Sequence, residues 1–318
     1  MRARIASLLA VNEEQFRLVA NVTLALLTLI VFTGAAVRLS DSGLGCPTWP
    51  RCYGHVYPPV ATHALIEFGN RALSGLVGVI TIGVAVLAFT RRPYRRDLAL
   101  LALLMPLGVL AQAILGGFTV RQHLAPGFVM SHFMLSMVIL IGAVALAWRA
   151  THERGWRPTN ADNTLVWCVR CLAGLTLITL IAGTAASAAG PHSGGTAAEH
   201  TAPRLMIEGK DTLEWAVHQH ATIAAILGVL TIAVWFLKRH RGVPFEATEP
   251  LTLFAVLLAA QGLIGSTQYE LHLPAEMVWV HVALATVTWV VMLWAVAVEG
   301  RLSQRNAGQS ASITATAS

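Results

Sequence analysis

The stretch AQAILGGFTVRQHLAPGFVMSHF, residues 111–133, recurs 149 residues later as AQGLIGSTQYELHLPAEMVWVHV, residues 260–282. Four identities share this one offset, and they pair Gln112 with Gln261, Gly116 with Gly265, His123 with His272, and His132 with His281. Each copy joins the end of one apolar run to the start of the next. The repeat therefore predicts a duplicated helical unit that carries one histidine into the membrane in each copy, and it suggests two related cofactor pockets.

The duplication extends beyond these 23-residue stretches. Gly34 matches Gly183 at the same offset, and Gly78 matches Gly228 at an offset of 150. Because four apolar runs separate equivalent elements, the two copies have the same orientation. We expect them to be related by an axis along the membrane normal.

The composition excludes a soluble domain, since 55% of the residues are hydrophobic and 12% are charged, with a mean hydropathy of +0.63. Eight apolar runs are each long enough to cross about 30 Å of hydrocarbon. They lie at residues 16–37, 64–90, 98–117, 126–148, 165–187, 212–237, 250–267 and 274–299. The predicted fold class is an all-α integral membrane protein, with eight transmembrane helices in two tandem pseudo-symmetric four-helix bundles.

The predicted topology has five parts. They are a cytoplasmic N-terminus (1–15), an N-terminal bundle (16–149), a cytoplasmic linker (150–163), a C-terminal bundle (164–299) and a disordered cytoplasmic tail (300–318). With this orientation, fifteen lysine and arginine residues lie on the inner side and six on the outer side, as the positive-inside rule requires. We therefore expect a multi-pass protein of the cell membrane with both termini in the cytoplasm. This bias explains the pI near 9.6, so no nucleic-acid partner is expected.

Histidines lie at matched depth in the two predicted bundles. At 1.5 Å per residue, His132 and His281 are about 9–10 Å below the starts of the fourth and eighth helices. At the offset of 150, His220 of the sixth helix corresponds to Asn70 of the second. The sixth and eighth helices thus present His220 and His281 to one interior. His218 is an alternative to His220, but it points about 200° away on the helix, so only one of them faces the pocket.

Two imidazoles on neighbouring helices can bind a porphyrin iron axially, with the macrocycle between the helices. The alternatives are hydrogen-bonded contacts between helices and a zinc site, which is disfavoured because no third ligand lies at that depth. His123 and His272 precede the fourth and eighth helices in short loops, and their repetition predicts a shared turn.

Charged residues open the second helix, where Glu67 and Arg71 are four apart and share a face. One interpretation is a mutual ion pair. The other places Glu67 beside the His132 pocket, where it takes a proton or stabilises a cation. Arg71, with Arg38 or Arg204, either binds the carboxylates of a macrocycle near the outer surface or contacts lipid phosphate.

The chain has four cysteines. Cys46 and Cys52 belong to the first outer loop, where a structural disulfide, a redox-active pair and free thiols are all open. Cys168 and Cys171 form a CxxC that resembles a redox or metal motif, and we expect ordinary buried thiols there.

Several of these segments together resemble the haem A synthase family, membrane enzymes that finish haem for terminal cytochrome oxidases. They are GLGCPTWPRC (43–52), IEFGNR (66–71), GGFTV (116–120) and the GPHSG…APR loop (190–204), in addition to the intramembrane histidines. The resemblance covers roughly residues 16–299 and is greatest to actinobacterial members.

The resemblance implies an oxidoreductase that converts the C8 methyl of haem O into the formyl group of haem A for cytochrome oxidase biogenesis. The C-terminal half would hold a low-spin haem B, with His220 and His281 as its axial ligands. The N-terminal half would hold the substrate haem O, with His132 facing its iron and Glu67 near the reacting methyl. Arg71 and Arg204 would bind the haem groups.

The outer cysteines, Cys46 and Cys52, resemble the loop cysteines that lie close to the substrate half in this family. One position departs from the family pattern, because Asn70 stands where members commonly have a histidine. An asparagine is a poor iron ligand, so His132 would leave the second axial face open. The implied partners are haem O, the haem O synthase that supplies it, and membrane lipid. The oxygen donor, the electron acceptor and a homo-oligomeric state stay open.

Other functions fit the same pattern. A di-haem b-type cytochrome would transfer electrons with quinol through two equivalent sites. A haem transporter would use the duplicated bundles without chemistry, and a thiol–disulfide enzyme would use Cys46 and Cys52.

Overall fold

A computed structural model describes residues 10–152, 159–160, 162–197 and 200–302. Eight long helices account for most of this chain. They are α1 (Glu13–Leu39), α2 (Thr62–Thr90), α3 (Arg96–Arg121), α4 (Pro126–Ala150), α5 (Asn163–Ala189), α6 (Thr212–His240), α7 (Phe245–Glu270) and α8 (Ala275–Glu299). Four two-residue strands form two short sheets. In one, β1 (Thr159–Asn160) pairs in parallel with β4 (Arg301–Leu302), and in the other β2 (Thr196–Ala197) pairs antiparallel with β3 (His200–Thr201).

All eight helices are long and apolar enough to cross a membrane. They coincide with the eight predicted spans, and seven of them extend beyond the predicted bounds, whereas α8 begins one residue later than predicted. The extension is clearest in α7, which begins at Phe245 and contains Pro250 in its second turn. The helices are longer than the apolar runs because their polar first turns are also helical. In α1, for example, a capping box between Asn12 and Gln15 satisfies the first amide groups.

The helix contacts divide the chain into two groups of four. In the first half each helix packs against the next, and α1 packs against α4; in the second half the same holds, with α5 against α8. The two halves meet where α8 contacts α1 and α4, and where α4 contacts α5. This arrangement is compatible with two tandem four-helix bundles.

Buried side chains form one core that continues through both halves, including Phe16, Met137, Leu227 and Trp289. The indole of Trp289 on α8 donates a hydrogen bond to the carbonyl of Met137 on α4, at 2.9 Å. Large apolar side chains also cover the outer faces, and Val229 and Leu263 are each 70% exposed. Such exposure suits lipid as the surrounding solvent.

The two copies of the repeated segment form the same turn. His123 and Leu124 after α3, and His272 and Leu273 after α7, all have positive φ angles between 49° and 63°. The Leu124 amide donates to the Thr119 carbonyl at 2.9 Å, and the equivalent bond from Leu273 to Gln268 is 2.7 Å. The predicted shared turn is therefore confirmed.

The ends of the chain and the linker are described in part. Residues 1–9, 153–158 and 303–318, which include most of the predicted cytoplasmic N-terminus and tail, lie outside the described residues. Arg301 and Leu302 were expected to be disordered, but their backbone pairs with the linker strand β1. In the linker Asp162 caps α5 by accepting from the Thr164 amide at 3.0 Å, and the neighbouring Arg241 guanidinium holds the pKa of this carboxyl below its usual range.

Two long loops lie at the same end of the bundles, and we call this end the loop side. The loop after α1 and the loop after α5 are joined by a 2.8 Å bond from the Gly43 amide to the Gly194 carbonyl. Arg38 at the end of α1 donates to the carbonyls of Ser187 and His192, both at 3.1 Å. The loop side therefore links the two halves across their boundary.

Candidate functional site

The C-terminal half brings two histidines together. The ring centres of His220 on α6 and His281 on α8 are 6.2 Å apart, and the ring planes are inclined by 82°. His220 Nδ1 lies 3.1 Å from the Thr179 carbonyl on α5. Because a carbonyl only accepts, this contact places the ring proton on Nδ1 and leaves Nε2 of His220 with a free lone pair.

The spacing of these rings suits one metal ion between them. An imidazole nitrogen lies about 2 Å from a bound transition metal, so two axial imidazoles have centres roughly 6 Å apart. A carbonyl on the opposite ring nitrogen is the usual second contact of a metal-bound histidine. His218 instead is exposed and bonds the Glu214 carbonyl of its own helix. The structure thus selects His220, and not His218, as the residue that faces His281.

His281 and His132 occupy equivalent places in the two halves. A methyl group built on Gly265 of α7 would lie 3.2 Å from Cε1 of His281. A methyl group built on Gly116 of α3 would lie 3.2 Å from Cε1 of His132. In each half a glycine therefore lets the histidine of the last helix lie against the preceding helix.

Sequence reasoning gave no role to the two repeated glutamines. Gln112 Nε2 donates to the His132 carbonyl at 2.9 Å, and Gln261 Nε2 donates to the His281 carbonyl at 3.1 Å. Their recurrence at the offset of 149 is the signal that could have identified them. In both halves, then, a glutamine side chain anchors the backbone of the site histidine.

The two halves differ at the position equivalent to His220. Asn70 on α2 accepts a 2.8 Å hydrogen bond from the Thr33 hydroxyl of α1. Thr33 Oγ1 also lies 3.1 Å from the Ile30 carbonyl, which corresponds to the Thr179 carbonyl that contacts His220. A threonine and an asparagine therefore stand in the N-terminal half where the C-terminal half has one imidazole.

Glu67 is buried beneath the first long loop, with both carboxylate oxygens engaged. One oxygen accepts from the Cys46 amide at 2.6 Å and the other from Arg71 Nη2 at 2.5 Å. The ion pair predicted from the spacing is present. Arg71 also donates to the carbonyls of Cys46 and Thr48, at 2.7 and 2.8 Å. The pair thus holds the loop on the loop-side end of α2.

That loop is closed by a disulfide between Cys46 and Cys52, so the disulfide alternative is confirmed over free thiols. The loop packs on the N-terminal half, because the Trp49 ring lies where a methyl group on Gly117 would approach within 2.9 Å. Gly116 and Gly117 therefore serve two different contacts, one with His132 and one with the loop.

The remaining cysteines and one loop histidine lie away from the paired histidines. Cys168 and Cys171 are free thiols. Cys168 is half-buried, but the expectation of burial was wrong for Cys171, which is exposed. His192, in the long loop after α5, donates from Nε2 to the Leu273 carbonyl just before α8, at 2.8 Å. Sequence reasoning missed this contact because it depends on the pairing of two distant loops.

Arg204, predicted to bind a haem group, is exposed on the loop side and donates to the Pro191 carbonyl at 3.2 Å. Arg71 and Arg204 thus lie on the same side of the bundles, over different halves. Arg71 is committed to the first long loop, whereas Arg204 reaches solvent.

The fold and the site define a multi-pass α-helical membrane protein of two four-helix halves, with a facing histidine pair in one half and a single site histidine in the other. Comparison with known proteins places it more narrowly. Residues 17–293 match the family COX15-CtaA, described as cytochrome oxidase assembly protein. The chain belongs to this family.

Individual relatives agree with this membership. The chain is 32% identical over 178 residues to "Heme A synthase" of Shewanella oneidensis, covering 50% of this chain and 51% of the relative. It is 33% identical to proteins of the same name from Halalkalibacterium halodurans, over 38% of this chain and 39% of the relative, and from an Exiguobacterium species, over 37% and 39%. The matched stretches thus span about half, or less, of these relatives.

Proposed function

We propose that this protein is a haem A synthase, an oxidoreductase that converts the C8 methyl of haem O into the formyl group of haem A. The observation that carries the proposal is the His220–His281 pair, in a chain of the COX15-CtaA family whose relatives are named for this activity. The product would serve cytochrome oxidase biogenesis. We place the chain in the cell membrane, with the loop side outside and both termini in the cytoplasm.

The C-terminal half is the proposed haem B site. His220 and His281 would hold the haem iron through ring nitrogens, since their spacing suits one iron and His220 Nε2 is left free by the Thr179 contact. Bound haem B would supply one-electron chemistry beside the substrate half. The surrounding helices would exclude water and hold the two rings at fixed spacing.

The N-terminal half is the proposed haem O site. His132 would face the iron from α4, and Asn70, held by Thr33, would leave the opposite axial position without a protein imidazole. A farnesylated porphyrin is apolar, so a bundle embedded in lipid can receive it from the side. A single protein ligand suits a substrate that must leave, whereas two imidazoles suit a resident cofactor.

Glu67 is the proposed acid–base residue of this half. Its carboxylate lies under the disulfide loop and pairs with Arg71, so the loop, the carboxylate and the outer end of α2 form one unit. Haem propionates would lie near this surface, with Arg204 more accessible to them than Arg71. Haem O synthase is the partner class that supplies the substrate.

A di-haem b-type cytochrome is the second candidate. It is favoured by one observation, the matched glycine and glutamine contacts of His132 and His281. The Asn70–Thr33 pair opposes it, because two equivalent low-spin sites would need an imidazole at position 70.

The decisive experiment is expression of the full chain in a membrane host that makes haem O but lacks its own haem A synthase. Extracted haems are separated and identified by their pyridine haemochrome spectra. We expect haem A with the wild-type chain and none with His132→Ala. Low-spin haem B at one per purified chain, without any haem A in the host, would favour the cytochrome and reject the synthase.

A further inference from the structure

Four buried polar atoms near the site histidines lack hydrogen-bond partners among the described residues. They are Nδ1 of His132, Oε1 of Gln112, Nδ1 of His281 and Oε1 of Gln261. Buried groups of this kind are nearly always paired in folded proteins. The four atoms form two histidine–glutamine pairs at the offset of 149. The same hydrogen-bonding arrangement is therefore expected in both halves.

The glutamine orientation follows from its other contact. Gln112 Nε2 lies 2.9 Å from the His132 carbonyl, and Gln261 Nε2 lies 3.1 Å from the His281 carbonyl. A carbonyl accepts only, so the nitrogen of each amide has to face it. Oε1, an acceptor, is therefore the atom left over on each glutamine.

The histidine orientation is fixed by the glycine one turn further along the same helix. Gly265 is four residues after Gln261, so the two share a face of α7. A methyl group on Gly265 would lie 3.2 Å from Cε1 and 3.7 Å from Nδ1 of His281. At Gly116 the corresponding distances to His132 are 3.2 and 3.8 Å. In both halves the Nδ1 edge of the ring thus faces the helix that carries the glutamine.

We infer that Gln261 and Gln112 are positioning residues, each accepting the Nδ1–H hydrogen bond of its histidine through one shared water molecule. A water can bridge two buried polar groups nearly as well as a direct contact. The bridge fixes the tautomer, because a proton held on Nδ1 leaves Nε2 free to bind iron. For His220 the Thr179 carbonyl is the acceptor of the Nδ1–H hydrogen bond. In all three site histidines Nε2 would then be the nitrogen that is free to bind iron.

The inference rests on the proposed binding of haem by His281, and the experiment separates the two ideas. Both Gln261→Leu and Gln261→Glu remove the amide donor to the His281 carbonyl, but only the glutamate variant would keep an acceptor for Nδ1–H. Purified full-length chain is titrated with haem B, and its reduction midpoint potential is measured. His281→Ala tests haem ligation itself, and Gln112→Leu serves as the matched control in the other half.

We expect Gln261→Leu to weaken haem B binding by roughly 10- to 100-fold, as loss of a second contact to a metal ligand typically does. Its midpoint potential should rise, because a histidine without an acceptor is a weaker donor to iron. Gln261→Glu should keep the affinity within a few-fold and lower the midpoint potential, because a carboxylate is the stronger acceptor. Gln112→Leu should leave the C-terminal haem unchanged.

Equal effects of the leucine and glutamate substitutions on affinity and potential would overturn the inference and leave Gln261 as a backbone anchor only. If His281→Ala keeps the low-spin haem B spectrum, the proposed ligation fails instead. The two outcomes can be told apart. The first is seen in a chain that still binds haem through His281, whereas the second shows that His281 is not a haem ligand.

Discussion

At the scale of single residues, three glycines let histidine rings approach a neighbouring helix. Gly116, Gly183 and Gly265 face Cε1 of His132, His220 and His281, at 3.0–3.2 Å from the place of an added methyl group. Such distances leave no room for a larger residue unless the ring moves. The positions of the site histidines are therefore restricted by contact with the backbone of the neighbouring helix as well as by hydrogen bonds.

Replacing Gly265 by alanine tests this contact. Gly265→Ala should push the His281 ring away from α7 and weaken haem B binding by about 5- to 150-fold, the equivalent of the roughly 1–3 kcal/mol that overpacking costs. Gly262→Ala is the matched control on the same helix, since nothing lies within 4 Å of its added methyl group. Haem titration followed by absorbance measures both variants, and an unchanged affinity for Gly265→Ala would contradict the expected displacement.

Glu67 offers a second test at this scale, because its anchoring of the loop and its proposed acid–base role can be separated. Glu67→Ala removes the acceptor of the Cys46 amide and the partner of Arg71, whereas Glu67→Gln keeps a side-chain oxygen near both. If the carboxylate moves a proton, both variants should lose haem A formation by at least about 100-fold. The haem B spectrum of the C-terminal half should stay intact.

Haem A in the expression host and the spectrum of the purified chain are the two measurements for Glu67. Near-normal haem A formation by Glu67→Gln would show that Glu67 only anchors the disulfide loop. Loss of the haem B spectrum together with the product would instead indicate damage to the whole fold.

At the scale of helices, α8 holds the two halves together. It contacts α5 and α7 in its own half, and α1 and α4 in the other. Two indoles of α8 donate across the boundary, from Trp289 to the Met137 carbonyl and from Trp279 to the Phe32 carbonyl, both at 2.9 Å. Since α8 also carries His281, the helix that would hold the proposed haem B also joins the two halves.

Trp289→Phe should lower the stability of the purified chain by about 1 kcal/mol, the usual net contribution of a hydrogen bond. Trp289 is buried at the boundary, whereas Trp279 is 37% exposed. We therefore expect Trp279→Phe to lower the stability less, because another hydrogen-bond donor can reach the Phe32 carbonyl more easily at this exposed position. Thermal unfolding in the same detergent compares the two variants. A larger loss of stability in Trp279→Phe would show that the exposed edge of the boundary contributes more than its buried part.

At the scale of the whole molecule, the loops make the two halves unequal although their helices repeat. The disulfide loop packs on α2 and α3 through Glu67, Arg71 and Gly117. At the offset of 150, Glu67 corresponds to Val217 and Arg71 to Ala221, so the second half has no such anchor. The asymmetry agrees with different roles for the two halves.

The orientation of the molecule can be tested with single cysteines. In a chain with Cys168→Ser and Cys171→Ser, we would introduce either Tyr57→Cys on the loop side or Tyr94→Cys between α2 and α3; these tyrosines are 79% and 44% exposed. A thiol reagent that cannot cross membranes should label position 57 in intact cells and position 94 only after permeabilisation. The reverse labelling would place the termini outside.

The sequence alone determined the eight spans and the duplication, and it predicted His132 and His281 as matched histidines of the two halves. Apolar runs of this length have few stable solutions in lipid, and the offset of 149 made equivalent residues recognisable without a structure. The spacing of Glu67 and Arg71 likewise sufficed to predict their ion pair, because a helix brings residues four apart together.

Only the tertiary structure decided which groups meet across helices. The choice of His220 over His218, the Asn70–Thr33 bond and the contact of His192 with the Leu273 carbonyl all depend on helix rotation and loop pairing. A local pattern records the face on which a residue lies but not what packs against that face. That is set by the simultaneous packing of all eight helices and the two long loops.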